Sequence, residues 1–381
     1  MLDMKLCVVF LLISSSFLRS VSLGQGLIDS VCQMAQLHRL ECQVHRVQTA
    51  DGYLLSLHRI PAPRNQSCPR ETRARLRPFV LMHGLLGSAA DFVTAGRGQA
   101  LAVELHRRWF DVWLPNARGT THSRRHRTLQ TSQARFWQFS WHEIGLYDLP
   151  AIVDRVLVMT GHRQVHYVGH SQGTTVLLVL LSQRPEYNSK FANAALMAPV
   201  AFLKHLSSPP LRLLASDSSG VTMLLNKLGL NELLSATALT QGGASLLPRI
   251  LETIPAGISR GQLQHFGQLI NSGKFQQYDY RSPRLNSLRY GQPTPPSYRL
   301  RNVRLQLQIF HGTRDALSSQ ADVQRLVNEL RQSRTRLYQV PGYNHIDFLF
   351  AVTASQLVYE RIIQQAWQLD ATAAAVALQG R

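Results

Sequence analysis

The sequence predicts an α/β protein: a mostly parallel central sheet flanked by helices, entered through an antiparallel hairpin and interrupted by a helical insertion. Two observations carry that expectation. Short apolar runs of strand length recur along the chain, most of them separated by stretches that fit helical periodicity. One long interval between two such runs has amphipathic pieces and breakers but no strand pattern.

The N-terminus, MLDMKLCVVFLLISSSFLRSVSLGQG, has one lysine, an apolar run from Leu6 to Ile13 and small residues from Ser20 to Gly24. This is the layout of a secretory signal peptide over residues 1–24. No later stretch reaches about 18 unbroken apolar residues, so the expected product is a soluble exported chain, extracellular by first choice with the lysosome as the alternative. Gln43 to Ile60 alternates on both sides of Asp51-Gly52, a hairpin signal. Buried-strand runs follow at Pro78 to Gly84, Phe110 to Asn116, Gln164 to His170, Ala192 to Val200 and Leu305 to Gly312, with a further strand at Thr335 to Val340. Helical stretches are expected over Gln99 to Arg108 and Glu143 to Met159. The division that results is a core of residues 25–200 and 293–370, a helical cap of residues 201–292 over the carboxyl ends of the strands, and an Ala-rich tail of residues 371–381.

The net charge of +19 comes mainly from arginine. Clusters stand at Arg70, Arg73, Arg75 and Arg77, and at Arg118, Arg124, Arg125 and Arg127 with His122 and His126 among them. Such a face suits an anionic lipid or membrane surface, the plainer alternative being a solvated basic surface. Nucleic acid is not expected of an exported chain without a nucleic-acid motif. After the leader, Cys32, Cys42 and Cys68 remain, enough for one disulfide and one unpaired thiol, and spacing does not say which pair forms. Neither CxxC nor HExxH occurs, so no structural or catalytic zinc site is expected. Asn65, in Asn65-Gln66-Ser67, is a glycosylation acceptor. No feature of the sequence fixes an oligomeric state.

The chemistry centres on GHSQG, residues 169–173. A lone G-x-S-x-G is a weak signal, but this one follows the strand Val165 to Val168 and precedes Thr174 to Gln183, which suits a buried helix. That is the strand, sharp turn and helix of a nucleophile elbow, with Ser171 as nucleophile. A serine hydroxyl needs a base held by an acid, and in this architecture the acid comes first and the histidine last. Asp315, just past Leu305 to Phe310, is the expected acid, with Asp322 and Asp347 as competitors. Asp322 fits better in the first turn of a following helix. His345, just past Thr335 to Val340, is the expected base. Two backbone N–H groups are needed to hold an oxyanion, and Gln172 and Leu85 supply them by position.

These segments resemble the acid lipase family, which includes gastric lipase, lysosomal acid lipase and insect relatives. The resemblance rests on DGYLLSLHRIP (51–61), HGLLGSAADFV (83–93), DVWLPNARGTTHSR (111–124), FWQFSWHEIGLYDLPA (136–151), VHYVGHSQGTT (165–175), YDYRSPRLNSLRYGQPTPPSYRL (278–300) and YNHIDFLFA (343–351). It implies an α/β-hydrolase core with a cap and hydrolysis of triacylglycerols or sterol esters without a metal or organic cofactor. It also implies a triad of Ser171, Asp315 and His345 with Leu85 and Gln172 as oxyanion donors. The sequence departs from the family in a shorter insertion without cysteine, in His142 where an acidic residue is usual, and in its arginine excess. The shorter insertion admits a short-chain carboxylesterase or thioesterase, and a non-catalytic lipid-binding relative is the alternative outside enzymes.

Overall fold

The computed structural model describes residues 29–63, 76–96, 98–206, 249–250 and 253–379. The leader, Asn65, Cys68, the arginines at 70, 73 and 75 and residues 207–248 and 251–252 of the insertion lie outside the described residues. The first helix, α1 (Ser30–Leu37), is capped by Asp29, whose carboxylate accepts from the N–H groups of Val31 and Cys32. Cys32 of α1 forms a disulfide with Cys42, which settles the pairing that spacing leaves open.

Strands β1 (Gln43–Gln48) and β2 (Tyr53–Ile60) pair antiparallel from Gln43 opposite Arg59 to Gln48 opposite Leu54. Gly52, at φ 99°, provides the left-handed residue that closes this hairpin. Then come β3 (Phe79–Met82), α2 (Leu101–Arg107), β4 (Val112–Pro115) and the short β5 (Arg125–His126) on β2. Helix α3 (Leu149–Thr160) leads to β6 (Val165–His170), α4 (Gln172–Gln183) and β7 (Phe191–Met197). Beyond the insertion's helices α5 (Arg260–Ser272) and α6 (Pro283–Tyr290) lie β8 (Gln306–Gly312), α7 (Gln320–Glu329), β9 (Arg334–Val340) and α8 (Glu360–Gln379).

The sheet order is β1-β2-β4-β3-β6-β7-β8-β9, parallel from β4 onward. The pleat sends alternate residues to opposite layers. Phe79 and Leu81 of β3 join a cluster with α1, α2 and α8, while Val80 and Met82 join one with α3, α4 and α7. Because α4 is covered on all sides, it reads as uniformly apolar from Val176 to Leu181. The chain leaves β3 toward one layer and β6 toward the other. The crevice between their carboxyl ends is therefore the place for a site.

Two local differences from the sequence expectation have physical causes. The helix expected over Glu143 to Met159 forms, but not with uniform pitch: a turn at Trp141–Glu143 passes through a π-turn at Ile144–Asp148 into α3. Pro150, near the start of α3, has no N–H to offer the carbonyl four residues back, and the wider turn accommodates it. The Ala-rich tail continues α8 through residue 379, as the high helix propensity of alanine favours.

A buried ion network ties three of these segments together. Arg118, after β4, donates to Asp51 of the hairpin turn at 2.6 and 2.9 Å and to Asp148 of the π-turn at 2.7 Å, and its ring-facing guanidinium lies 4.0 Å from the Tyr53 centroid. Asp148 is fully enclosed, so its carboxylate depends on this partner. Asp148→Asn is expected to destabilise the fold by about 3–5 kcal/mol, because it leaves Arg118 buried and half paired. Asp51→Asn, on the more open side, should cost clearly less; urea unfolding midpoints of the two variants check the ranking.

Candidate active site

The site is built on the turn between β6 and α4. Ser171 has φ 53° and ψ −118°, a left-handed backbone that a non-glycine residue adopts only under constraint. Its N–H donates to the Met197 carbonyl at 3.0 Å, and its own carbonyl accepts from the Thr174 hydroxyl at 2.6 Å. The flanking glycines follow from close approach. A Cβ on Gly169 would stand 2.7 Å from the Gly173 backbone, and one on Gly173 would stand 2.2 Å from the Met82 carbonyl oxygen.

Three sequence-predicted side chains meet here. His345 Nε2 lies 2.7 Å from Ser171 Oγ, and its Nδ1 lies 2.9 and 3.1 Å from the two oxygens of Asp315. Asp315 Oδ1 also accepts from the N–H groups of Leu317 and Ser318 at 2.9 and 2.8 Å. Burial alone would raise this carboxyl, but the charge and hydrogen bond of His345 and the two N–H donors outweigh it and hold it below the ordinary carboxylate range. The competing carboxylates are engaged elsewhere: Asp322, in the first turn of α7, pairs with His205 at 3.0 Å, and Asp347 accepts from the Asn344 N–H at 2.7 Å.

Gln172 opens α4 immediately after Ser171, where an N–H has no carbonyl of its own helix to reach. Leu85 follows Gly84, whose backbone passes so close to the nucleophile that an added Cβ would lie 3.1 Å from Ser171 Cβ. His83 sets the peptide between them: its Nδ1 donates to the Gly84 carbonyl at 2.8 Å and its Nε2 accepts from the Ala117 N–H at 3.1 Å. In a trans peptide the N–H points opposite to the carbonyl, so holding the Gly84 oxygen orients the Leu85 N–H.

Sequence reading gives no role to His83, His170 or Gln262, because their partners are distant in the chain. His170 donates from Nε2 to the His345 carbonyl at 2.7 Å, which fixes the backbone of the base. Gln262, in the first turn of α5, donates to the Gln172 side chain at 3.1 Å. Helix α5 is held to the core by His265, which stacks on Trp141 at 3.7 Å and donates from Nε2 to the Gln276 carbonyl at 3.0 Å. His142 lies 2.7 Å from the Tyr298 hydroxyl, and burial lowers its pKa.

With this geometry established, comparison with known proteins is informative. Residues 77–352 match a family model described as alpha/beta hydrolase fold, and residues 31–96 one described as partial alpha/beta-hydrolase lipase region. The chain is 36% identical over 359 residues to Lipase 1 of Drosophila melanogaster, covering 88% of this chain and 79% of that one. It is 33% identical over 377 residues to gastric triacylglycerol lipase of Bos taurus, covering 91% and 93%. Among solved structures, a thermophilic esterase from Thermogutta terrifontis superposes with a TM-score of 0.53 at 14% identity, covering 86% of this chain and 99% of that one, a likeness of fold alone.

Burial keeps three imidazoles of this region neutral, with pKa values lowered to about 4 for His83 and about 3 for His170 and His265. Below pH 6.5 the unfolded chain protonates all three while the folded chain does not, so stability falls with pH. Asp91, enclosed against Gly87 in the loop after β3, acts oppositely, because burial raises it to about 7 and the folded chain takes a proton that the unfolded chain does not. The lowered histidines, His142 among them, outnumber Asp91, so stability should drop as the pH falls from about 6 to 4.5. Urea unfolding across that range checks the slope, and replacing His170 with Gln should reduce it.

Proposed function

This chain belongs to the acid lipase family of α/β hydrolases and is a carboxylic ester hydrolase of lipid esters; from that premise we propose that Ser171, His345 and Asp315 are its catalytic triad. The observation that carries the proposal is the unbroken line from Asp315 through His345 Nδ1 and Nε2 to Ser171 Oγ at hydrogen-bonding distances. Ser171 Oγ attacks the acyl carbonyl as His345 Nε2 takes its proton, and the N–H groups of Leu85 and Gln172 hold the oxyanion. His345 then returns the proton to the leaving alcohol. Water, deprotonated by the same ring, attacks the acyl-enzyme and releases the fatty acid.

Triacylglycerols or sterol esters are the proposed substrates, in keeping with the bovine relative's name. The contact of Gln262 with Gln172 supports a position of the insertion, residues 201–292, as a cap above the acyl site. The leader-like residues 1–24 support export, with the extracellular space preferred to the lysosome. Asn65 is the proposed glycan acceptor.

Ser171→Ala is expected to lower kcat by roughly 10⁶-fold and Asp315→Asn by roughly 10⁴-fold on a soluble ester, while both proteins stay folded. Wild-type rates from Ser171→Ala protein would refute the triad. Across esters of increasing acyl length, long-chain glycerides should be turned over best. A maximum at very short chains would assign the enzyme to the short-chain carboxylesterases instead.

A further inference from the structure

Helix α6 presents its side chains the wrong way round for a soluble surface. The one residue of Pro283–Tyr290 that it buries is polar Asn286, whose amide donates to Asp279 Oδ1 at 2.9 Å and the Pro293 carbonyl at 3.0 Å and accepts from the Tyr280 N–H at 3.0 Å. Its leucines face outward: Leu285 is 49% and Leu288 76% exposed, three residues apart and so on one face. Ordinary amphipathic helices do the reverse. Along this stretch of the chain the charge is of one sign. Between Arg281 and Arg314 the sequence holds Arg281, Arg284, Arg289, Arg299, Arg301, Arg304 and Arg314 and no acidic residue. All seven are exposed, and none takes part in an ion pair among the described residues.

We propose that α6 is a docking element for an anionic lipid bilayer surface, its leucines entering the headgroup region while Arg281, Arg284 and Arg289 pair with lipid phosphates and carboxylates. Outward leucines bordered by arginines are the composition that binds such surfaces, combining apolar burial with electrostatic attraction. This rests in part on the lipid-ester reading above, since an enzyme with lipid substrates works where lipids aggregate. The element is also linked to the catalytic turn. Asp279 exchanges two hydrogen bonds with Gln268 of α5, at 2.7 and 2.8 Å, and Gln262, about 9 Å back along the same helix, holds Gln172.

The test is flotation of the full chain with vesicles of phosphatidylcholine alone or doped with phosphatidylserine, at low and high salt. Wild type should partition more strongly to the anionic vesicles, less so as salt rises. The triple variant R281Q/R284Q/R289Q should lose about a hundredfold of that partitioning, roughly fivefold per arginine. L285Q/L288Q should weaken binding to both vesicles. Turnover of a soluble short-chain ester should be unchanged in both variants, which reports that they are folded. Equal binding by the triple variant and wild type would overturn the proposal. So would a dimer in light scattering that L285Q/L288Q abolishes, which would make the face a self-association surface. Loss of the triad reading would show in Ser171→Ala turnover and leave flotation unaffected, so the two failures are distinguishable.

Discussion

The left-handed backbone of Ser171 is the constraint around which the rest of the site is arranged. A non-glycine residue at φ 53° costs about 1–3 kcal/mol and persists only where its surroundings over-determine it. Here the Met197 carbonyl fixes its N–H, the Thr174 hydroxyl fixes its carbonyl, and the Tyr167 hydroxyl holds the Gly173 carbonyl from below. Those anchors come from β6, β7 and α4, which are buried on both faces. The strain is therefore carried by the stiffest part of the molecule, and it points Oγ out of the sheet at the crevice between β3 and β6.

From that turn, positioning spreads outward through groups that must remain uncharged. His83 aligns the Gly84 peptide only as a neutral ring that both donates and accepts. Its acceptor nitrogen is engaged by Ala117, in the loop whose Asn116 side chain binds the Ala89 N–H at 3.1 Å and whose Arg118 is clamped by Asp51 and Asp148. The hairpin, the π-turn and the loop proposed to hold the oxyanion thus share one polar framework. A stability defect at Asp148 would reach the Leu85 N–H through it without any contact with substrate.

What the sequence made legible was local. Apolar runs bounded by breakers located β3, β4 and β6 to β9 within a few residues, though not the two-residue β5, and the order Ser171, Asp315, His345 followed from where those strands end. Features that depend on distant partners were not legible. Pro150 marks a break in helical pattern, but only the packing of Gly145, where a Cβ would meet Val179 at 2.7 Å, makes the π-turn the way to absorb it. Spacing could not choose Cys42 as the partner of Cys32. His170 meets His345 across 175 positions and Gln262 meets Gln172 across 90, separations at which periodicity carries no information. Helix α6 falls within the insertion expected to be helical, but the outward facing of its leucines was not legible, because it follows from the seat of Asn286 on Asp279 and Pro293.

The charges around the triad are arranged so that one proton has one route. Asp315 is the ionised group of the buried set, and its oxygens are filled by Leu317, Ser318 and His345, which keeps its charge directed at the ring. His170 lies beside His345, with ring centroids 5.1 Å apart, and a second positive ring there would oppose an imidazolium at His345. Its Nε2 hydrogen is committed to the His345 carbonyl, and burial with the neighbouring charge of His345 lowers its pKa to about 3. A proton leaving Ser171 Oγ therefore finds His345 Nε2, 2.7 Å away, as its acceptor, and the positive charge formed there faces Asp315 and a neutral His170. Neutrality at His170 is thus as much a part of the proposed catalysis as the charge on Asp315.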